Sequence, residues 1–223
     1  VQCWIPMSNN VISICNQKGG VGKTTTAINL AAALAGIGKK ILILDLDPQG
    51  NASTGLGIEY SERSNSIYEV LSRLIPFDDG IKKTNLENLF IVPSNVELSG
   101  IEPELANEND KAFVLKSIMN DSQSINNFDY IFIDCPPALS LLTVMAMTAA
   151  NSVLVPLQCE FFALEGLSQL IKTVDRVHKN LNPLLSIDGI ILTMFDKRNK
   201  LSTQVAMDVK KHLQEKVFDT MIP

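Results

Sequence analysis

Apolar residues in this chain fall in short unbroken blocks and do not alternate with polar ones. Six such blocks stand out, at 11–15, 41–46, 89–93, 130–133, 153–157 and 189–194. Continuous apolar runs of this length suit strands buried on both faces, the signature of a parallel sheet. Helical patterns lie between several of them. Residues 26–35 are small, alanine-rich and uncharged, which predicts a helix buried against the sheet and ended by Gly36-Ile37-Gly38. Further helices are predicted over 67–75 (stopped by Pro76), 112–119, 139–150, 164–181 (ended by Asn182-Pro183) and 202–216. Residues 97–110 are acidic and polar, a solvated loop with a short helix, and 122–127 are a polar connection. A seventh strand begins in 217–222. The order predicts an α/β fold: a doubly wound, mostly parallel sheet with helices on both faces and right-handed crossovers. Ligands of such a fold bind at the carboxyl ends of the strands.

Length and composition narrow the picture. A chain of 223 residues can bury a sizeable core, and residues 10–223 read as a single domain. Residues 1–9 read as an unstructured or non-native extension, with Met7 a natural start and no signal-peptide pattern. No apolar run reaches the ~18 residues needed to cross a membrane. Cys3, Cys15, Cys135 and Cys159 are widely spaced with no CxxC pair, which argues against a disulfide framework or zinc site and for a reducing, cytoplasmic setting. The net charge of −5 speaks against a constitutive nucleic-acid binder. That charge is unevenly spread: residues 172–216 hold nine Lys or Arg against five Asp or Glu, a local +4 that leaves −9 on the remainder.

Candidate chemistry centres on residues 17–25, QKGGVGKTT, placed between the first apolar block and the alanine-rich helix. That strand, glycine loop, helix order is how a phosphate-binding loop works, because loop N–H groups and the helix N-terminus converge on one anion. Gly19, Gly20, Val21 and Gly22 would cradle phosphate, Lys23 would reach the β- and γ-phosphates, and Thr24 would ligate Mg²⁺ beside Thr25. The loop departs from the common GxxxxGKS/T pattern, with Gln17 where the first glycine belongs and a second lysine at Lys18. It is a deviant form of the P-loop.

Two acidic strand ends complete the set. The second strand runs into Asp45-Leu46-Asp47-Pro48-Gln49-Gly50, with two carboxylates that face opposite sides unless the chain turns between them. One can orient or deprotonate an attacking water, and the other can hold the metal shell or pair with a loop lysine. A plain turn cap is the competing reading. The block at 130–133 ends in Asp134, suited to hold Mg²⁺ through a water, and the stiff Cys135-Pro136-Pro137 follows as a switch or a rigid loop.

The strings KGGVGKTT (18–25), DLDPQGN (45–51), FIDCPP (132–137) and QCEFFALEGL (158–167) closely resemble the ParA/Soj partitioning ATPases, over essentially 10–223. The resemblance implies a P-loop ATP hydrolase that uses ATP and Mg²⁺ and forms an ATP-dependent homodimer around sandwiched nucleotide. It further implies nonspecific DNA binding on the nucleoid, stimulation by a ParB-type centromere-binding protein, and a role in chromosome or plasmid segregation. By the same resemblance Lys18 reaches the nucleotide of the opposite subunit, Lys23, Thr24 and Thr25 hold phosphates and magnesium, Asp47 assists the water, and Asp134 is the metal-side acid. Glu160 is placed near the ribose edge of the dimer interface and Met194, with its neighbours 193–196, beside the adenine. Family members continue past this Ile-Pro end, so the chain is expected to lack its C-terminal part.

The basic segment takes its meaning from that resemblance. Lys197, Arg198 and Lys200 crowd the loop after the sixth block, and Lys210 and Lys211 lie on the last helix. A solvated face is the ordinary reading, and phosphate contact doubled by a dimer is the functional one. Arg198 best matches a family DNA-contacting arginine. A MinD-like, membrane-associated division ATPase is the main alternative. A nitrogenase iron-protein type lacks the paired cysteines it needs, and a cobyrinate-type amidase lacks a visible extra substrate site. His178 and His212 stand alone on helix patterns and read as surface residues.

Overall fold

The computed structural model describes residues 10–223; the expected extension over 1–9 lies outside them. Eight strands form one sheet: β1 (Asn10–Ile14), β2 (Ile41–Asp45), β3 (Lys82–Lys83), β4 (Leu89–Val92), β5 (Tyr130–Asp134), β6 (Ser152–Gln158), β7 (Ser186–Thr193) and β8 (Val217–Met221). Their order is β3-β4-β2-β5-β1-β6-β7-β8. Every pairing is parallel except β3 with β4. All six apolar blocks are therefore strands, as the doubly wound reading expects.

Eight α-helices connect them: α1 (Lys23–Gly36), α2 (Asn51–Gly55), α3 (Ile67–Leu71), α4 (Ile101–Glu104), α5 (Val114–Asp121), α6 (Leu141–Ala149), α7 (Ala163–Asn180) and α8 (Lys200–Leu213). The strands alternate their side chains between two cores. Ile14, Ile41, Ile43, Ile91 and Phe132 meet Ala27, Ala31 and Ala35 of α1 and Ala52 of α2 on one face. Leu42, Leu44, Val92, Ile131, Val155 and Ile190 face the larger cluster under α3 to α8 on the other. Small residues along α1 let its axis lie close to the sheet, which brings its N-terminus directly over the end of β1.

Several boundaries move. Helix α1 starts at Lys23, not at residue 26, because Gly22 takes a left-handed conformation (φ 86) and turns the loop straight into the first helical turn. Helix α3 ends at Leu71, short of Pro76, where Arg73 turns left-handed at φ 58. Met194 is not in a strand: β7 stops at Thr193, and Met194 leaves it with φ 51. The short helix α2 and the two-residue edge strand β3 have no counterpart in the apolar pattern.

The chain reverses direction of travel at β1, whose neighbours are β5 on one side and β6 on the other. A crevice at the carboxyl ends of the strands opens at such a switch point. Ile14 is level with Asp134, Asp134 with Asp45, and Gln158 with Thr193. One edge thus carries the glycine loop, three acids and the ends of β6 and β7.

Candidate functional site: a phosphate loop edged by buried acids

Residues 15–22 arch from β1 to α1. Asn16 braces the arch from below: its Nδ2 donates to the Pro156 carbonyl at 2.8 Å, and its Oδ1 accepts the Lys18 N–H at 3.0 Å. Thr193 braces it from the side, its hydroxyl donating to the Val21 carbonyl at 2.8 Å. Sequence reasoning assigned neither brace, since Asn16 meets Pro156 across 140 residues of chain and Thr193 meets Val21 across 172. Val21 is buried, while Gly19, Gly20 and Thr25 face solvent.

Lys23 is buried, and its Nζ donates to the Lys18 carbonyl at 3.0 Å, so the ammonium sits inside the arch. Burial pushes its pKa down, opposed by the nearby carboxylates of Asp134 and Asp47. A desolvated cation in a glycine loop at a helix N-terminus suits an anion.

The Thr24 hydroxyl donates to Asp134 Oδ2 at 2.7 Å. Among the described residues the other oxygen of that buried carboxylate, Oδ1, has no hydrogen-bond partner. Burial first and then the neighbouring Asp45 push the Asp134 carboxyl up to about 7. An orphaned carboxylate oxygen beside a hydroxyl is a hard-oxygen donor set that suits Mg²⁺. Among the described residues no group of three or more acids, thiols or imidazoles could hold a metal alone.

Asp45 and Asp47 do not stand on opposite faces of a strand. The chain turns after Asp45, and the Asp47 N–H donates back to Asp45 Oδ1 at 3.3 Å. Asp45 is wholly buried and also accepts from the Ser53 N–H and hydroxyl, at 2.9 and 2.7 Å. Burial raises its carboxyl to about 6. Its hydrogen bonds run to Ser53 and the Asp47 backbone, not to a loop lysine; it pins α2 to the end of β2. Asp47 is buried as well, with one oxygen taking the Gln49 N–H at 3.0 Å, and its charge acts on Lys23, as that of Asp134 does more strongly.

Lys18 projects from the rim, and its ammonium forms an ion pair with Glu160 of the same chain at the end of β6. The two residues expected at a subunit interface are brought together here. Beside them opens a cleft of about 290 Å³, lined by Gln17, Lys18, Glu160, Phe162, Glu165 and Gly166 among others. Phe161 and Phe162 stack edge to face there, and both are strongly exposed. Met194 is about half exposed at the end of β7.

Lys197, Arg198 and Lys200 are all exposed on the turn into α8. Arg198 folds back on Asp196 through two bonds of 3.0 Å, so its charge is partly matched within the loop. Beneath the phosphate arch, the buried Cys15 thiol lies 3.2 Å from the Cys135 sulfur, a meeting not visible from their spacing. Both are free thiols, as is Cys159.

A parallel doubly wound sheet with a glycine loop, an internal lysine and acids at two strand ends defines a P-loop ATPase. The AAA domain family matches residues 9–187. The chromosome partitioning protein ParA of Caulobacter vibrioides (strain NA1000 / CB15N) is 52% identical over 213 residues, 96% of this chain and 80% of that protein. The sporulation initiation inhibitor protein Soj of Bacillus subtilis (strain 168) is 50% identical over 96% of this chain and 83% of its own length. Among solved structures, cobyrinic acid a,c-diamide synthase from Mycobacterium smegmatis with bound ATP analog and magnesium superposes with TM-score 0.89. It is 36% identical and covers 96% of this chain and 87% of that one. The chain belongs to the ParA/Soj family of partitioning ATPases. It is an ATP hydrolase, with ATP and Mg²⁺ as the cofactors of its class.

Proposed function

We propose that this chain holds MgATP under the 15–22 arch, closes on a second copy with nucleotide sandwiched between them, and in that state holds DNA without sequence preference. A ParB-type partner then stimulates hydrolysis, and the cycle drives segregation of a chromosome or plasmid. The observation that carries the reading is the convergence of Lys23, Thr24, Asp47 and Asp134 at one strand edge while Lys18 remains outside it, on the rim. A lysine on the rim suits contact with a phosphate across an interface, in the manner of an arginine finger supplied in trans.

Roles follow from position. Loop N–H groups and Lys23 bind the phosphates, and Thr24 with Asp134, through a water, holds the metal. Bound Mg²⁺ supplies charge neutralisation to the phosphate oxygens. Asp47 orients the attacking water and accepts its proton. Met194 borders the adenine and Glu160 the ribose edge. Lys197, Arg198 and Lys200 meet DNA phosphates, giving an affinity that falls as salt rises. The protein would act in the cytoplasm on the nucleoid. Among the described residues no helix is long and apolar enough to cross a membrane.

Two other readings predict different behaviour. A MinD-like ATPase would be retained by lipid vesicles instead of DNA. A cobyrinic acid amidase, the sequence alternative to which the structural likeness also points, would turn over ATP only with its own acid substrate, and the higher identity to partitioning proteins weighs against it. The deciding experiment is retention on nonspecific duplex DNA with and without ATP over a salt series. ATP-dependent retention that weakens steeply with salt supports the proposal. Retention on anionic vesicles with none on DNA would overturn it.

A further inference from the structure

Arg63 received no role from the sequence, yet it is 6% exposed, and a buried guanidinium ordinarily has a carboxylate beside it. Among the described residues its hydrogen bonds all end on neutral oxygens. Nε and Nη2 donate to the Ile58 carbonyl at 3.2 and 2.8 Å, and Nη2 also donates to Thr54 Oγ1 at 2.8 Å. Nη1 donates to the carbonyls of Gly50 and Ser94, both at 3.4 Å. One side chain therefore ties the turn between β2 and α2, the C-terminal end of α2, and the segment leaving β4.

Both strand-end acids lie a short step from this clamp. The Gly50 N–H donates to the Asp47 carbonyl at 2.8 Å, closing the turn that holds Asp47. The Ser94 N–H donates to the Ser53 hydroxyl at 2.9 Å, and that hydroxyl donates to Asp45 at 2.7 Å. Gly50 sits at φ 61, and a Cβ there would collide with the guanidinium. The glycine and the arginine are fitted to each other. A planar fork with five donors can satisfy several segments at once, which a lysine ammonium on a flexible stem cannot.

We propose that Arg63 is a positioning residue for hydrolysis: it clamps the β2–α2 turn so that Asp47 stays aimed at the attacking water. This rests on the reading of Asp47 given under Proposed function. A clamp of this kind acts on the chemical step and not on nucleotide affinity, because the phosphate arch is braced separately by Asn16 and Thr193.

The test uses the full chain carrying Arg63→Lys, with Asp47→Ala as reference. Affinity for a nonhydrolysable ATP analogue, single-turnover hydrolysis and thermal unfolding are measured for each. Arg63→Lys is expected to lower the hydrolysis rate ~10- to 100-fold, as ångström-scale misplacement of a catalytic group does. Analogue affinity should stay within ~3-fold of the parent. A purely structural role would lower the melting temperature while folded protein hydrolyses at the parental rate, and that result overturns the proposal. Should Arg63→Lys not fold, Thr54→Val removes one acceptor of Arg63, together with the bond that the Thr54 hydroxyl donates to the Gly50 carbonyl at 3.1 Å, and leaves the other four Arg63 bonds. It should slow hydrolysis ~3-fold or more with affinity unchanged; an unaltered rate overturns the proposal equally. If Asp47→Ala itself hydrolyses normally, the reading of Asp47 has failed, whereas an inactive Asp47→Ala beside a fully active Arg63→Lys refutes the clamp alone.

Discussion

Replacing Asp134 by Asn separates what this acid does for binding from what it costs the fold. The carboxyl is buried, one oxygen accepts from Thr24, and the other has no partner among the described residues. Burial and Asp45 raise it from 3.8 to about 7, so the folded chain holds this proton more tightly than the unfolded chain does. The sign follows: the stabilisation is complete below about pH 3.8 and is lost as pH rises through about 7. A shift of about 3 pH units corresponds to ~4 kcal/mol at neutral to alkaline pH. Asparagine removes that charging cost but places an amide N–H₂ where Oδ1 lacks a partner, at a cost of ~1–3 kcal/mol. The net is a stabilisation of ~1–3 kcal/mol, or ~2–10 °C in melting temperature for a chain of this size. Thermal unfolding of nucleotide-free, metal-free protein at about pH 6 and about pH 8 measures it. The parent should lose stability between the two, and Asp134→Asn should lose less, melt higher at the alkaline end, and lose the extra stabilisation Mg²⁺ gives with an ATP analogue. Asp45, raised to about 6, leaves a smaller slope in both proteins. An Asp134→Asn protein that melts at or below the parent at about pH 8, with the same pH slope, would refute the reasoning.

Lys23→Ala removes the ammonium from inside the arch and should weaken ATP-analogue binding ~100-fold or more by titration, as loss of a buried charge-assisted bond implies; parental affinity would sink the loop assignment. With Asp47→Ala, nucleotide binding and ATP-dependent dimers should persist while single-turnover hydrolysis falls at least ~100-fold, and an undiminished rate would count against its role. Arg198→Ala should flatten the plot of log DNA affinity against log salt by ~0.9 for each phosphate that the arginine neutralises in the parent. An unchanged slope would leave Arg198 as nothing more than the partner of Asp196.

Much of the fold could be read in advance because burial on both faces writes itself into short, continuous apolar blocks. Each of the six blocks became a strand of the parallel sheet, and the alanine-rich stretch became the helix beneath which the arch opens. Helix α2 escaped notice because Asn51-Ala52-Ser53-Thr54-Gly55 has no apolar stripe. It is held by Asp45 through Ser53 and by Arg63 through Thr54, neither of which is a local signal. Strand β3 is two lysines at the sheet edge, too short for any periodicity and protected from further pairing by its charge.

Residue order alone was enough for the phosphate arch, its lysine and hydroxyl, and the acidic end of β5, since these are contiguous motifs whose geometry is local. Tertiary structure decided which groups each acid meets. Asp45 and Asp47 look alike in the chain and both are buried, but a turn sets the first against Ser53 and the second against the Gln49 N–H. It also decided the company of Lys18, which meets Glu160 only because β1 and β6 are neighbours in the sheet. Local spacing encodes which groups need burial or a hydrogen bond; strand order across the sheet determines which distant group supplies it.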